Sequence, residues 1–185
     1  MAPHGLLLAA GAGTRMGKPK ALMRDFDGTS WLQRTVAVLQ QAGCGEVTVV
    51  LGARSEEAIP LLEGTGAAVL VAEDWSEGMG ASLRAGLRAL AGSDAVAAVV
   101  MLVDLPDVST EVVRHVAARV TSAGQLARAS YDGRPGHPVV IGRDHWVAAA
   151  SSVVGDQGAR DYLSSHRVVD VECADLATGR DRDLP

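Results

Sequence analysis

The fold is decided by a strand that runs directly into a glycine-rich loop, Leu8-Ala9-Ala10-Gly11-Ala12-Gly13-Thr14-Arg15-Met16-Gly17-Lys18-Pro19-Lys20-Ala21-Leu22. Glycines in such a loop allow backbone N–H groups to approach phosphate oxygens, and arginine and lysine side chains add charge-assisted hydrogen bonds. The glycine spacing matches neither GxGxxG nor GxxxxGK[ST], which excludes a dinucleotide-binding loop and a Walker loop. The stretch therefore predicts a loop that binds a triphosphate.

Lysine occurs at only one place in the chain. Of the 17 basic residues, 15 are arginines, and the two lysines are Lys18 and Lys20, on either side of Pro19. A lysine ammonium is a compact point charge, whereas an arginine guanidinium is a planar fork. Tight packing alone would explain the glycines, but the placement of both lysines favours phosphate binding.

Length and composition describe one globular domain of 185 residues, of which 48% are apolar and 21% charged. Aromatic residues make up 3% and the formal net charge is -5. The chain therefore lacks the stacking rings and the basic surface of a nucleic-acid binder. We expect a small-molecule partner and no nucleic acid.

The cysteines and the apolar N-terminal run bear on the cellular compartment. Cys44 and Cys173 show neither CxxC nor metal-ligand spacing, which fits a reducing cytosol. The apolar run 5–10 is too short to span a membrane and lacks the basic segment that begins a signal peptide. We expect a cytoplasmic protein without a membrane segment.

Apolar runs of strand length alternate with segments of helical period, the pattern of a parallel α/β sheet. Helices are predicted from Ser30 to Gly43 and from Ser109 to Val120, with both serines as N-caps, and over 81–90. Over 55–63 Pro60 would kink a helix. The runs predicted to form the sheet centre are 5–10, 47–51, 67–72 and 96–103.

After residue 125 the pattern changes to a hairpin of strands 126–131 and 137–141, joined by the loop 132–136. Short helices near 144–150 and 156–165 precede a last strand at 168–172, and the polar tail 178–185 shows no apolar period. The sequence thus predicts one α/β domain over 1–185, with a mostly parallel mixed sheet flanked by helices.

An acidic residue ends the fourth apolar run, in Met101-Leu102-Val103-Asp104-Leu105-Pro106. The carboxyl ends of parallel strands form the ligand-binding edge of an open α/β sheet. A carboxylate there can hold Mg²⁺ together with phosphate oxygens of a substrate. Because Ser109 already suits the helix cap, metal binding is favoured over capping for Asp104.

Two further regions offer polar groups to a ligand. The segment 75–83 opens a helix whose N-terminus can face a base or an acceptor, although Gly80 and Ser82 also suit an ordinary helix start. The loops 133–138 and 155–160 bring His137 and Asp156 to the second half of the chain, where both can line an acceptor pocket. For His137 a structural place in an edge strand is an equal alternative.

Taken together, these motifs resemble the nucleotidyltransferases that attach a nucleotide to molybdopterin, above all the molybdenum cofactor cytidylyltransferases and their MobA-like relatives. The resemblance spans most of the chain. It rests on LAAGAGTRMGKPKAL at 8–22, EGMGASLRAGL at 77–87, Asp104-Leu105-Pro106, GRPGHPVV at 133–140 and GDQGAR at 155–160.

The resemblance implies a Rossmann-like nucleotidyltransferase fold, in which about 1–125 would bind nucleotide and about 126–185 the acceptor. It also implies that a terminal phosphate oxygen of the acceptor attacks the α-phosphorus of a nucleoside triphosphate, releasing pyrophosphate. Arg15, Lys20 and Asp104 would be catalytic, with Mg²⁺ at Asp104, and His137 and Asp156 would contact the acceptor. The nucleotide would contact Ala9, Ala10, Gly11, Gly13, Thr14, Arg15, Lys20, Gly80 and Ser82.

The resemblance also bears on the base and on the metal. The Leu-Ala-Ala-Gly start of the loop is similar to cytidylyl enzymes, whereas guanylyl relatives tend to have Leu-Ala-Gly-Gly, which favours CTP. Where the family usually shows Asp-Ile-Asp-Thr, this chain reads Asp175-Leu176-Ala177-Thr178. Asp175 would then be an auxiliary metal ligand, and Ala177 replaces a carboxylate.

We expect a Mg²⁺-dependent nucleotidyltransferase that uses CTP, or another NTP, and a molybdopterin-type acceptor, with a molybdoenzyme or its chaperone as a partner. The alternatives are a guanylyl or sugar-phosphate nucleotidyltransferase of the same fold and a non-catalytic nucleotide-sensing domain. Release of pyrophosphate separates the enzymes from the sensor.

Overall fold

The computed structural model describes residues 2–182, without the side chain of Arg15. Seven strands in this part of the chain form one sheet. They are β1 (His4–Ala9), β2 (Val47–Leu51), β3 (Ala68–Val71), β4 (Ala97–Leu102), β5 (Leu126–Tyr131), β6 (Arg134–Gly142) and β7 (Val169–Glu172).

The strand order is β3-β2-β1-β4-β6-β5-β7. β1 pairs in parallel with β2 and β4, and β2 pairs in parallel with β3. β6 runs antiparallel between β4 and β5, and β7 is parallel to β5. The predicted α/β fold with a mostly parallel mixed sheet is confirmed, and the pairing of β4 with β6 joins both parts of the chain in one sheet.

Helices cover both faces of the sheet. α1 and α4 pack with the strands in one core cluster, and α3, α5 and α6 pack in the other. The helices are α1 (Trp31–Gln41), α2 (Ser55–Ala58), α3 (Met79–Leu90), α4 (Thr110–Ala117), α5 (Trp146–Ser152) and α6 (Arg160–Ser164).

Alternate residues of the central strands supply the two cores. In β1, Leu7 faces the α1 and α4 side, whereas Leu6 and Leu8 belong to the cluster under α3. All three are almost fully buried. Burying one such side chain contributes about 1.5 to 3 kcal/mol, so the central strands form a rigid base for the loops that follow them.

The sequence predicted β3 at the centre of the sheet, and this prediction is wrong. β3 forms one edge, and Val69 and Val71 are 39% and 42% exposed. A continuous apolar run does not distinguish a strand covered on both sides from an edge strand, because both favour β-branched residues.

The hairpin in the second half is tighter than the predicted loop 132–136. β5 and β6 are joined by Asp132 and Gly133 alone, with φ angles of 51° and 74°. Two consecutive positive φ angles are typical of the type I′ turn, which Asp-Gly favours. Residues 134–136 therefore belong to β6.

Helix boundaries show smaller differences from the prediction. Ser30 and Ser109 occupy the N-cap positions of α1 and α4, but neither side chain makes the capping hydrogen bond. The predicted segment 55–63 forms the short α2 followed by a 3-10 helix at Ile59–Leu62, with Pro60 near its start. Within residues 2–182, no helix is long and apolar enough to cross a membrane.

Candidate active site

A cleft of about 430 Å³ lies along the edge of the sheet where β1 and β4 end. Because parallel strands end at the same edge, the loops after them meet there. The structure brings nine of the predicted site residues to this cleft: Ala9, Ala10, Gly11, Gly13, Thr14, Lys20, Ser82, Asp104 and Asp156. The predicted role of the Arg15 side chain lies outside the described residues.

The glycine loop has a backbone that only glycine allows at one position. Gly13 has a φ of 62°, and a Cβ there would overlap the carbonyl of Lys18. Among the described residues, the N–H groups of Gly11, Ala12 and Gly13 form no hydrogen bond. Unsatisfied N–H groups in a glycine loop form the kind of concavity that binds phosphate.

Lys20 and Asp104 form an ion pair inside the cleft, with 2.5 Å between the lysine Nζ and Oδ2 of the aspartate. Their side chains are 23% and 10% exposed. Oδ1 of Asp104 is buried and has no hydrogen-bond partner in the described part of the chain. A buried carboxylate oxygen without a donor fits a metal ligand, so the residues present suit a divalent cation at Asp104.

Among the described residues that line this cleft, the carboxylates are those of Asp104 and Asp156. Asp175 is exposed after β7 and lines neither cleft, so the structure does not bring it to Asp104. Over residues 2–182, no group of three His, Cys, Asp or Glu residues could hold a metal ion. A cation at Asp104 would therefore take most of its ligands from phosphate oxygens and water, as Mg²⁺ commonly does.

The segment after β7 holds the turn that carries Asp104. Oδ2 of Asp107 accepts hydrogen bonds from the N–H and the hydroxyl of Thr178, both at 2.6 Å. The carbonyl of Asp104 accepts from the N–H of Arg182 at 2.9 Å. The guanidinium of Arg182 also donates to Asp25, which ties this segment to the loop before α1.

A second cleft of about 270 Å³ opens on the β6 side of β4. Its walls are mainly apolar side chains, and charged or polar groups lie among them: Arg128, His137, Asp156 and Arg160. Burial lowers the pKa of His137 to about 4, whereas the Asp104 carboxylate acts in the opposite direction. His137 is therefore neutral near pH 7, when its imidazole offers one donor and one acceptor nitrogen.

Asp156 lines both clefts and connects them. Its Oδ1 accepts a hydrogen bond of 3.4 Å from the N–H of Met79, at the start of α3. A Cβ on Gly78 would lie 2.5 Å from this oxygen, and one on Gly80 would lie 2.9 Å from the carbonyl of Gly155. Gly80 thus allows α3 to approach the 155–158 loop, and it does not line the 430 Å³ cleft, where it was predicted to contact a nucleotide.

Sequence reasoning missed Gly52 and Arg128. Gly52 follows β2, and a Cβ there would lie 2.5 Å from Cγ of Trp75 and 2.7 Å from the carbonyl of Ala10. Arg128 lines the second cleft from β5 and pairs with Asp170 of β7 at 2.5 Å. No local motif marks either residue, because the partners come from distant strands.

Two sequence relatives of the chain carry different names. Nicotine blue oxidoreductase of Paenarthrobacter nicotinovorans is 38% identical, over 97% of this chain and 91% of that protein. A molybdenum cofactor guanylyltransferase of Rhodobacter capsulatus is 32% identical, over 78% of this chain and 66% of that protein.

Solved structures with the same fold include Rv0371c from Mycobacterium tuberculosis H37Rv, with a TM-score of 0.80 and 30% identity over 93% of this chain and 89% of that one. A second structure of that protein, in complex with manganese, has a TM-score of 0.76 and 27% identity over 100% and 91% of the two chains. A nucleotidyl transferase from Methanothermobacter has a TM-score of 0.78 at 23% identity, over 92% and 87%, and shows the fold alone.

The MobA-like NTP transferase domain matches residues 5–171, which include the glycine loop, Asp104 and both clefts. The chain therefore belongs to the MobA-like NTP transferase family, a family of nucleotidyltransferase enzymes.

Proposed function

We propose that the chain is a cytoplasmic, Mg²⁺-dependent nucleotidyltransferase that transfers CMP from CTP to a molybdopterin-type acceptor. A terminal phosphate oxygen of the acceptor forms a bond to the α-phosphorus, the bond from this phosphorus to the bridging oxygen breaks, and pyrophosphate leaves. The observation that carries the proposal is the ion pair of Lys20 and Asp104 beside the N–H groups of Gly11, Ala12 and Gly13, which bond to none of the described residues.

The chain's own residues bind and orient both substrates. The N–H groups of Gly11 and Gly13 and the ammonium of Lys20 would bind the triphosphate. Asp104 would hold Mg²⁺, which neutralises charge on the phosphates when it is bound. Catalysis would then depend on positioning and on charge neutralisation, with no covalent intermediate on the enzyme.

The choice of CTP rests on the loop itself. Ala10, where guanylyl relatives tend to have glycine, is 4% exposed and lines the nucleotide cleft. Its methyl group reduces the space beside the loop, which favours the smaller pyrimidine base. GTP is the competing substrate, because one relative is named a guanylyltransferase.

The choice of acceptor rests on the second cleft. Its apolar wall, formed by residues such as Val100, Val139 and Ile141, suits a flat ring better than a sugar with many hydroxyl groups. The guanidinium groups of Arg128 and Arg160 can bind an acceptor phosphate. A molybdoenzyme or its chaperone would receive the product.

Pyrophosphate release tests the proposal directly. The protein is incubated with Mg²⁺, molybdopterin and each of the four NTPs in turn, with Asp104→Asn as the inactive control. We expect release with CTP and little release with the other three. Turnover of GTP with CTP inert would overturn the base assignment, and nucleotide binding without turnover would favour the sensor.

A second candidate function is an oxidoreductase. The relative that is 38% identical bears that name, and Ala177 stands where the family pattern has a carboxylate. In this case the cleft would hold a reduced nicotinamide nucleotide without the GxGxxG loop of the dinucleotide-binding folds, and its hydride would pass to a ring in the second cleft.

Two measurements separate the two candidates. Absorbance at 340 nm follows oxidation of a reduced nicotinamide nucleotide, and a second assay follows pyrophosphate release. The protein is mixed with NADH or NADPH and a quinoid heteroaromatic dye, in the presence of EDTA. Oxidation of the cofactor that needs no divalent cation would favour the oxidoreductase. Pyrophosphate release that EDTA abolishes would favour nucleotidyl transfer.

A further inference from the structure

Trp75 has no role in the phosphate chemistry, yet it lines the nucleotide cleft. It begins a 3-10 helix, Trp75–Glu77, that follows β3 and precedes α3. The side chain is only partly buried, with one part packed against the core under α3. An aromatic ring at the surface of a binding cleft can contact a ligand.

The strand order places Trp75 and Asp104 on opposite sides of the glycine loop. Trp75 follows β3 and Asp104 follows β4, whereas the loop follows β1, which lies between them in the sheet. Phosphates held by the loop, Lys20 and Asp104 would leave the nucleoside to extend toward the β3 side. The second cleft lies on the other side, beyond β4.

Gly52 lets the side chain of Trp75 pack closely against the backbone. A Cβ on Gly52 would lie 2.5 Å from Cγ and 2.6 Å from Cβ of Trp75, so the ring packs directly on the backbone after β2. The same Cβ would lie 2.7 Å from the carbonyl of Ala10. The glycine therefore brings Trp75 and the start of the phosphate loop into one wall.

Arg84 of α3 holds the segment from the other side. One of its guanidinium nitrogens donates to Oδ2 of Asp74 at 2.5 Å and to Oε2 of Glu77 at 2.8 Å. These carboxylates flank Trp75 in the sequence, and the hydrogen bonds lower the pKa of Asp74. A surface ion pair contributes little to stability, but two of them on one guanidinium restrict the segment.

We propose that Trp75 is the base-contacting residue of the nucleotide cleft, with Arg84 as its positioning residue. The proposal rests on the proposed function, because it assumes a nucleotide in this cleft. The indole provides a stacking surface for the base, and Arg84 keeps the segment 74–77 in place. Stacking of a base on an aromatic side chain is typically lost when the ring is replaced by alanine.

Calorimetric titration tests the proposal, with CTP, GTP and inorganic tripolyphosphate as ligands in the presence of Mg²⁺. Trp75→Ala, Trp75→Leu and Trp75→Phe are compared with the wild type. We expect about 10- to 100-fold weaker nucleotide binding for the alanine and leucine variants, and binding within about threefold of wild type for phenylalanine. Tripolyphosphate binding should be unchanged in all three, and the affinities for CTP and GTP should fall together in the first two, because an aromatic ring stacks on any base.

Leucine fills volume without a stacking face, so it separates the loss of the ring from a collapse of the cleft. Arg84→Ala should raise the KM for the nucleotide and leave kcat and tripolyphosphate binding unchanged, and Arg84→Lys should restore part of the affinity. Equal losses of affinity for nucleotide and for tripolyphosphate would overturn the role of Trp75, and so would an unchanged nucleotide affinity in Trp75→Leu. Neither result would overturn the proposed function. A wild type that binds tripolyphosphate but no nucleotide would overturn the proposed function as well.

Discussion

Lys20 and Asp104 lie 84 positions apart in the sequence, yet their side chains form a partly buried ion pair of 2.5 Å. The pair keeps together one positive group suited to phosphate and one negative group suited to a cation. Removing either partner leaves the other with less compensation, which costs more for buried charges than for exposed ones. The effects of substituting Lys20 or Asp104 are therefore compared with the effects of matched substitutions at exposed residues.

Lys20→Ala should weaken nucleotide binding, whereas Lys18→Ala should have little effect. Lys18 is exposed and does not line the cleft. Loss of a charge-assisted hydrogen bond costs about 1.5 to 3 kcal/mol, which corresponds to roughly 10- to 150-fold in the dissociation constant. Titration with tripolyphosphate and with CTP measures the effect. Equal losses for the two variants would contradict the position of Lys20 at the phosphates.

Asp104→Asn should abolish pyrophosphate release, whereas Asp175→Asn should keep most of it. The asparagine can still accept a hydrogen bond from Lys20, so the fold should survive, but it removes the charged metal ligand. Asp175 is exposed and away from the cleft. Turnover across a Mg²⁺ titration measures both variants, with thermal unfolding as the control. Activity retained by Asp104→Asn would show that the metal binds elsewhere.

Alanine at Gly11 and at Gly13 should have different effects. At Gly13 the positive φ and the overlap with Lys18 should lower both stability and nucleotide affinity. Placing a residue that has a Cβ in the left-handed conformation lowers the free energy of unfolding by roughly 1 to 2 kcal/mol, which lowers Tm by about 2 to 8 °C. At Gly11 a Cβ meets no atom within 4 Å, so Gly11→Ala should keep its Tm and lose only affinity. Similar Tm losses in both variants would refute this distinction.

Glu172 should stabilise the fold in a pH-dependent way. Hydrogen bonds from the Ser130 hydroxyl and from the N–H groups of Gly133, Ala174 and Asp132 lower its pKa from 4.5 to about 2. Because the pKa is lowered on folding, the contribution is present above pH 4.5 and is lost as the pH falls toward 2.

Urea denaturation of Glu172→Gln tests this expectation, with the exposed Glu73→Gln as the control. The stability difference between Glu172→Gln and wild type should be largest at pH 7 and smaller at pH 3. A difference of equal size at both values would show that the carboxylate charge is not responsible.

Local patterns predicted the first half of the chain well. β1, β2 and β4 are buried on both faces and therefore appear as continuous apolar runs, and the loop after β1 carries its own glycines and lysines. The position of β3 at the sheet edge could not be predicted, because order in a sheet depends on pairing between distant segments.

The missed parts of the site all depend on long-range contacts. Gly52 matters because Trp75 and Ala10 pack against it, and Arg128 lines the second cleft from β5 while it pairs with Asp170 of β7. Neither residue lies in a motif of the kind that marks the glycine loop. The tight Asp132-Gly133 turn, by contrast, is local, and its dipeptide was a sufficient signal for a shorter loop than the one predicted.

The position of β4 at the middle of the sheet has an evolutionary consequence. The nucleotide cleft is built mainly from residues before Asp104, and most of the wall of the second cleft comes from residues after 126. Under the proposed function, substitutions in the later half can therefore change the second substrate while the residues that would bind the nucleotide stay the same. A family arranged in this way can give rise to a guanylyltransferase in one lineage and an oxidoreductase in another, and exchanging the segment 126–165 between relatives would transfer the choice of second substrate with it.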